Sequence, residues 1–508
     1  MHSYPKLICI LTILFLLASC HPTPQSNAIR MAVAIAPSTL DPRFATDATS
    51  MRINRLLYRS LVDFDAEFNP IPNLAHWTLL SPTHYRFHLH ENSPPFHNGE
   101  PLTAEDVKAT YTSLLDPQIA SPHRSNFTNI QQINLINSHT LDFILTKPDT
   151  LFPGRLTLGI LPKSLLHTSH PFQKQPVGNG NFRYLHWPHS AHLILERLQD
   201  RQPIEFLEIK DPVVRVLKLL RQEVDILQND LSPELIHWLN QRPHIQVTFG
   251  KGSHFTYLGF NLNDPNTGQL AIRQAIAHAL NRSELIEYIL GKAATLANSF
   301  MFLPNHWAGD NTNFLHYDYD PIKAQKLLAS QGFTPENPLP LVYKTSNNPF
   351  RIRLASVIQQ QLAKVGIRLE LRSYDWGTFY GDIKDGRFQL FSLSWVGIKM
   401  PDIFRYAFHS TSIPPSGANR GRLKLPLLDT LIERTEQALT LQEQTHYYQN
   451  LQQLLWQELP YVPLWFEDQV LVTNQRIKGY TLALDGNYDA LTHTRLTASP
   501  TLTSLLDP

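Results

Sequence analysis

Apolar and polar positions along this chain repeat at two different periods. Met31 to Ile35 and Tyr85 to Leu89 read as strands, whereas Ser50 to Leu61 and Thr103 to Leu115 carry apolar residues at helical spacing. Thr103 and Asp106 fit a capping box, with Asp106 in the place usually held by Glu. Further on, Ile272 to Leu290, Pro321 to Ser330, Arg351 to Val365 and Leu427 to Leu459 predict helices, the last one broken near Thr440. Tyr257 to Asn261, Gln389 to Trp395 and Tyr461 to Phe466 predict strands between them. Strands and helices that alternate in this way define a mixed α/β chain.

Length and composition narrow the function. At 508 residues the chain has room for two to four domains, each able to bury a core. With 42% hydrophobic and 17% charged residues it is neither a disordered chain nor a multi-span membrane protein. Forty-four Lys and Arg against 43 Asp and Glu leave a net charge of +1, which excludes a strong field for nucleic acid. Prolines (38) outnumber glycines (21), so phosphate-cradling glycine loops are scarce. No internal repeat is visible. The two cysteines, Cys9 and Cys20, both lie at the N-terminus, and the cysteine-free remainder excludes a disulfide scaffold or a cysteine-based zinc site.

After Lys6, the apolar run from Leu7 to Ala18 is too short to cross a bilayer of about 30 Å and has the form of a secretory h-region. It ends in Leu17-Ala18-Ser19-Cys20, which resembles the bacterial lipobox, in which the cysteine is acylated before cleavage. The alternative is an ordinary signal peptide with an incidental cysteine. His21 to Asn27 is polar and contains proline, as a tether would.

Several segments together resemble the extracellular solute-binding proteins of peptide ABC transporters, the oligopeptide- and dipeptide-binding family. Ser38-Thr39-Leu40-Asp41-Pro42, Tyr58 to Val62 and Pro72-Asn73-Leu74-Ala75 come first, and then Phe96 to Val107, which is the most specific of them. Gly178-Asn179-Gly180-Asn181-Phe182, Tyr257 to Asn263, Ile272 to Arg282, Lys364 to Ile367 and Tyr374-Asp375-Trp376 follow in order. The resemblance implies a two-lobed periplasmic-binding fold that closes by a hinge. Residues 1–19 are then a signal peptide and 20–27 a lipidated tether. Lobe I takes 28–58, 171–260 and 467–508, the extra subdomain 59–170 and lobe II 261–466, with hinge crossovers near Phe260 and Phe466.

The resemblance also implies an extended ligand that pairs with backbone from both lobes. The lobe I edge is Thr46-Asp47-Ala48 and the lobe II edge Ser394-Trp395-Val396. Trp376 and Trp395 match pocket positions, where an indole offers apolar surface and one N–H; core packing is the competing role. Asn229 is either a polar pocket residue or a turn former. Arg351 and Arg353 lie near the place where dipeptide binders hold the ligand carboxylate, which suits a guanidinium fork, although most arginines are simply solvated. At Ile398 the family commonly has the aspartate that pairs with a ligand amine. Asp402 is the nearest carboxylate in sequence, so the site is not expected to select for a free amine. His186 and His192 are expected to face each other across a hairpin with Pro188-His189-Ser190 at its tip, as exposed histidines rather than a metal site. No catalytic motif was found, and neither a cofactor nor a metal is implied.

The expected function is therefore capture of an oligopeptide or similar small solute, delivered to ABC permease subunits by a lipid-anchored monomer on the periplasmic or cell-surface side. The alternatives are a surface-exposed lipoprotein acting as an adhesin and a binder of a non-peptide solute. Cys20→Ala is expected to abolish palmitate incorporation and to move the protein from the membrane to the soluble fraction. Equal labelling of wild type and variant contradicts the lipid anchor.

Overall fold

The computed structural model describes residues 27–291, 293–310 and 316–497. Cys9, Cys20, the expected signal peptide and most of the tether lie outside the described residues. Eleven strands form one sheet. Its order from one edge is Ile367–Tyr374, Leu339–Ser346, Leu390–Trp395, Ile245–Phe260, Tyr461–Asn474, Ile226–Gln228, Ile29–Val33, Pro203–Glu208, His192–Arg197 and Phe182–His189, and Ala294–Leu296 adds to Tyr461–Asn474 off this path.

Two long antiparallel strands, Ile245–Phe260 and Tyr461–Asn474, run through the middle and join the halves. Ile245 to Gly250 pair with Gln469 to Asn474 on the lobe I side, where Ile226–Gln228 also joins. His254 to Gly259 pair with Tyr461 to Glu467 on the lobe II side, beside Leu390–Trp395. The register slips between Gly250 and His254. A Cβ on Gly252 would stand 2.0 Å from the Glu467 carbonyl oxygen, so only glycine lets the two backbones approach this closely. This slip lies beside Glu467 on the other strand and a few residues before Phe260. The sequence pattern showed strand only from Tyr257 because Gly250, Lys251 and Gly252 interrupt the apolar alternation. Pairing with Tyr461–Asn474 along nearly its whole length carries the strand through that interruption.

The hydrophobic clusters follow the lobes. Lobe I is buried on both sheet faces: Ile29, Met31 and Val33 enter one cluster and Ala32, between them, the other. Lobe II packs Trp456, Trp465 and Tyr257 without exposure. The segment from Leu61 to Ile160 has a cluster of its own, with Phe143 edge-on to Phe87 (5.4 Å) and Tyr111 (5.6 Å). A four-stranded sheet there orders Ala75–Ser81, His84–Leu89, Thr140–Leu145 and Ile130–Asn137.

The most specific sequence motif pins this subdomain to lobe I. The Phe96 N–H donates to the Glu100 carbonyl (2.8 Å), closing a turn whose Gly99 has a φ of +90°. His97 then donates from its backbone to the Gly178 carbonyl (2.7 Å) and from Nε2 to the Gly180 carbonyl (3.2 Å). Gly178 and Gly180 lie against the end of the helix Ala48–Leu57, where a Cβ would stand 2.0 and 2.2 Å from the Leu57 and Leu56 carbonyl oxygens. Asp106 accepts from the Thr103 N–H (2.8 Å) at the start of Ala104–Leu115, as the capping pattern predicts. Where one helix was expected over Ile272 to Leu290 there are two, Leu270–Ala279 and Arg282–Leu290, because Asn281 caps the second by accepting from the Glu284 N–H (3.1 Å). The break near Thr440 is a capping box with Glu443.

Asp225, fully buried, ties three segments of lobe I. Its carboxylate accepts from the Arg30 backbone (3.0 Å) and side chain (3.2 Å), Asn474 Nδ2 (2.9 Å) and Arg476 Nη1 (3.4 Å). Asp225→Ala removes the buried carboxylate that Arg30 and Arg476 share and is expected to cost about 3–5 kcal/mol, read as a lower urea midpoint. A loss below about 1 kcal/mol contradicts this role.

Candidate functional site: the interlobe cleft

The bulge interrupts the central ladder, and polar side chains gather there. His254 and Glu467 are cross-strand partners at its edge. Thr256 Oγ1 donates to Glu467 Oε1 (2.8 Å) and lies 2.7 Å from Ser394 Oγ, which in turn accepts from Arg351 Nη2 (3.2 Å). Arg351 Nη1 is buried with no partner among the described residues, and so is His254 Nε2. Burial holds His254 below the usual imidazole range despite the Glu467 carboxylate nearby.

Ser394 and Trp395 end the strand Leu390–Trp395. One side of this strand pairs with Phe255 to Phe260 throughout, but the other meets Leu339–Ser346 only at Leu390 and Phe391. The backbone from Ser392 to Trp395 is therefore an open edge beside Arg351. Trp395 lies parallel to Tyr257 (6.5 Å, 19°), and the Arg420 guanidinium stands 4.6 Å over its indole. Arg420 is 8% exposed and donates to the Tyr257 and Tyr380 hydroxyls at 3.0 and 3.2 Å. This cation and aromatic stack holds Trp395 in place while its Nε1 keeps no partner.

Three ion pairs join separate parts of the chain around the cleft. Lys399 Nζ of lobe II reaches Asp485 Oδ2 of lobe I at 2.6 Å and lies 5.5 Å from the Phe64 ring. Burial pushes the Asp485 carboxyl up, but the Lys399 ammonium more than offsets this and leaves it below its usual value. Arg353 pairs with Glu234, and Arg155 of the subdomain reaches Asp402 at 2.5 Å. A small cavity opens beside Lys399, lined in part by Glu67, Ser253, His306, Ile398 and Leu484.

The structure brings some of the expected residues together and sets others apart. Ser394 and Trp395 end the strand Leu390–Trp395, and Val396 follows it, 55% exposed. Thr46-Asp47-Ala48 is the start of a helix rather than a strand edge: Asp47 caps Ala48–Leu57, accepting from the Ser50 N–H (2.8 Å). Burial raises the Asp47 carboxyl, but hydrogen bonds from Ser38 and Ser50 leave it lowered. Asn229 is a turn residue, with φ +61° and its amide spent on Gln469 (2.6 Å) and the Val470 N–H (2.8 Å). Arg353 is bound to Glu234 at the lobe seam, and Arg351 is the arginine that faces the strand edge. Trp376 is 57% exposed and stacks on Tyr380 (5.3 Å, 9°). Asp402 is occupied by Arg155. The histidine hairpin turns one residue later than expected, so His192 faces His189 and His186 faces Ile194. His192 Nε2 is 3.0 Å from Glu205. Among the described residues no group of three or more His, Cys, Asp or Glu has metal-binding geometry.

Sequence reasoning missed His254, Glu467, Arg420, Glu67 and His306, each in a stretch with no distinguishing pattern. Lys399 was the one within reach, as the charged neighbour of Ile398.

A hinge built from two shared strands, with polar groups and an open strand edge at the bend, defines a two-lobed binding protein. The chain belongs to the bacterial extracellular solute-binding proteins, family 5, whose sequence profile matches residues 69–414. It is 24% identical to di/tripeptide-binding protein 2 of Pseudomonas aeruginosa, over 93% of this chain and 96% of that one. It is likewise 24% identical to the periplasmic oligopeptide-binding protein of Salmonella typhimurium, over 87% and 88%. The fold is shared with the substrate-binding protein CtaP of Listeria monocytogenes at a TM-score of 0.84, with 22% identity over 93% of this chain and 99% of that one.

His306 sets a pH dependence. Burial pushes its imidazole down to about 4, against the pull of Asp65. The unfolded chain takes up that proton near pH 6.5, so folded stability is full above pH 6.5 and falls as the pH drops toward 4, by up to about 3 kcal/mol. His306→Phe is expected to shrink the difference in urea stability between pH 7 and pH 4.5 by about 2–3 kcal/mol. An unchanged difference contradicts a neutral buried His306.

Proposed function

We propose that this protein captures short peptides in the cleft and delivers them to the permease subunits of an ABC transporter. The observation that carries this reading is the open edge from Ser392 to Trp395 beside the half-free Arg351. A peptide added as a strand satisfies that backbone without regard to side chains, and its terminal carboxylate takes the free Nη1 of Arg351. The relatives named for di/tripeptides and oligopeptides support the ligand class, as does the periplasmic binding protein DppA of Helicobacter pylori solved with the peptide STSA. Trp395 and Val396 line the ligand path, with Trp376 at its rim. The protein works as a monomer, held by lipid on Cys20 at the periplasmic or cell-surface side of the membrane, and binding energy closes the lobes. It does no chemistry and carries no cofactor.

A bound peptide at 100 times its Kd is expected to stabilise the ligand-stripped protein by about 2.7 kcal/mol. Arg351→Ala is expected to weaken free-carboxylate peptides about tenfold or more while sparing their C-terminal amides, measured by calorimetry. If no peptide from a random library shifts the melt, the ligand is not a peptide.

A further inference from the structure

The strands of lobe I share one end of the sheet. Ile29–Val33, Pro203–Glu208 and Ile226–Gln228 run parallel and begin there, as does Ile245–Phe260, whose Ile245 pairs with Asn474 at the close of Tyr461–Asn474. Phe182 pairs with Arg197 at the same end. Asn27 lies there too, its carbonyl accepting from Gln202 Nε2 in the loop before Pro203. Seven residues, Cys20 to Ser26, precede Asn27 and reach at most about 25 Å.

Positive charge gathers at this end. The acids of these strand ends and loops are matched: Asp225 by Arg30 and Arg476, Asp200 by Arg197 (2.7 Å), Glu223 by Lys218, and Glu196 by Arg183 and Arg201. Arg221 ends the helix Pro212–Leu220 just before Asp225, and Arg242 lies in the loop before Ile245. Lys478 and Arg495 pair across two short strands that follow Asn474, and Arg197 Nη1 donates to the Thr494 carbonyl beside them (2.7 Å). These four cations are exposed and have no ion-pair partner among the described residues. The whole chain carries only +1, so the surplus is local. Apolar surface accompanies it: the Arg242 guanidinium stands 3.8 Å over the ring of Trp238, itself 37% exposed, and Leu198 is 42% exposed in the loop before Pro203.

Phosphate headgroups complement the cations, and the headgroup boundary is where indole and guanidinium groups settle. We propose that this end of lobe I rests on an anionic lipid bilayer, with Arg221, Arg242, Lys478 and Arg495 against the headgroup phosphates and Trp238 and Leu198 at the boundary. The inference goes beyond the peptide reading and rests on the lipid at Cys20 in that reading, which holds this end within tether reach of the surface. Each cation near an anionic surface favours contact by about fivefold, so the four together orient a protein that the tether alone leaves free to turn. Ile245–Phe260 and Tyr461–Asn474 run from this end to lobe II. Contact here therefore fixes lobe I and leaves lobe II clear of the bilayer.

The test places the mature lipidated chain in vesicles of phosphatidylcholine, alone or in equal parts with phosphatidylglycerol. Mass spectrometry first reads the acyl chains on Cys20; their absence overturns the lipid-anchor reading, and this inference with it. A fluorophore is attached through Gln199→Cys, in the loop before Pro203, or through Val213→Cys, exposed at the far end of the lobe where Pro212–Leu220 starts. Spin labels on the lipid headgroups then quench it. On the anionic vesicles the label at Gln199→Cys is expected to be quenched at least about tenfold more strongly than the label at Val213→Cys. About 0.5 M salt is expected to bring it within about twofold of its phosphatidylcholine value, and so is the combined variant Arg221→Gln, Arg242→Gln, Lys478→Gln and Arg495→Gln. Equal quenching at Gln199→Cys in the two kinds of vesicle overturns the proposal, as does an anionic preference that survives salt or the folded combined variant. Stronger quenching at Val213→Cys also overturns it. The salt arm keeps the native cations and decides the question even where the combined variant does not fold.

Discussion

The pairing of Ile245–Phe260 with Tyr461–Asn474 is the constraint on which the rest depends. Both lobes take their central strand from the same two segments, so neither lobe moves without bending this ladder. The ladder is interrupted between Gly250 and His254, where Gly252 lies against the Glu467 carbonyl, and again between Thr256 and Tyr257. Asn229 ties the lobe I side of the first interruption to Val470 and Gln469. Beside the same interruption His254 faces Glu467 across the strands, and Thr256 joins Glu467 to Ser394. Hinge and site are one feature because a broken ladder supplies both bending and unspent polar groups.

Around that bend, the contacts between bodies are mostly polar. The clusters of the two lobes and of the subdomain are separate, and Lys399–Asp485, Arg353–Glu234 and Arg155–Asp402 cross between them. Arg353 and Glu234 are 41% and 63% exposed at their side chains, and exposed pairs of this kind contribute about 0–1 kcal/mol. Such pairs set the register of closure without holding the lobes shut. A ligand then decides the balance, as expected of a protein whose output is its own conformation.

Arg351 and the open edge at Ser394 and Trp395 offer donors suited to a carboxylate and a peptide backbone.

Much of this was legible in the sequence. Strand Leu390–Trp395 and the paired helices split at Thr440 followed from local pattern, because apolar periodicity and capping residues act within a few positions. The motif from Phe96 to Val107 and the glycines at Gly178 and Gly180 stood out as motifs, although only the fold shows that they grip each other. What the sequence could not supply was partnership. The bonds of Asn229 to Gln469 and Val470, of Arg353 to Glu234, and of Asp47 to the helix it caps all depend on neighbours that the local pattern does not name. Local sequence determines secondary structure because its causes are local; whether a polar group is spent or free depends on distant residues, and only the tertiary structure decides that.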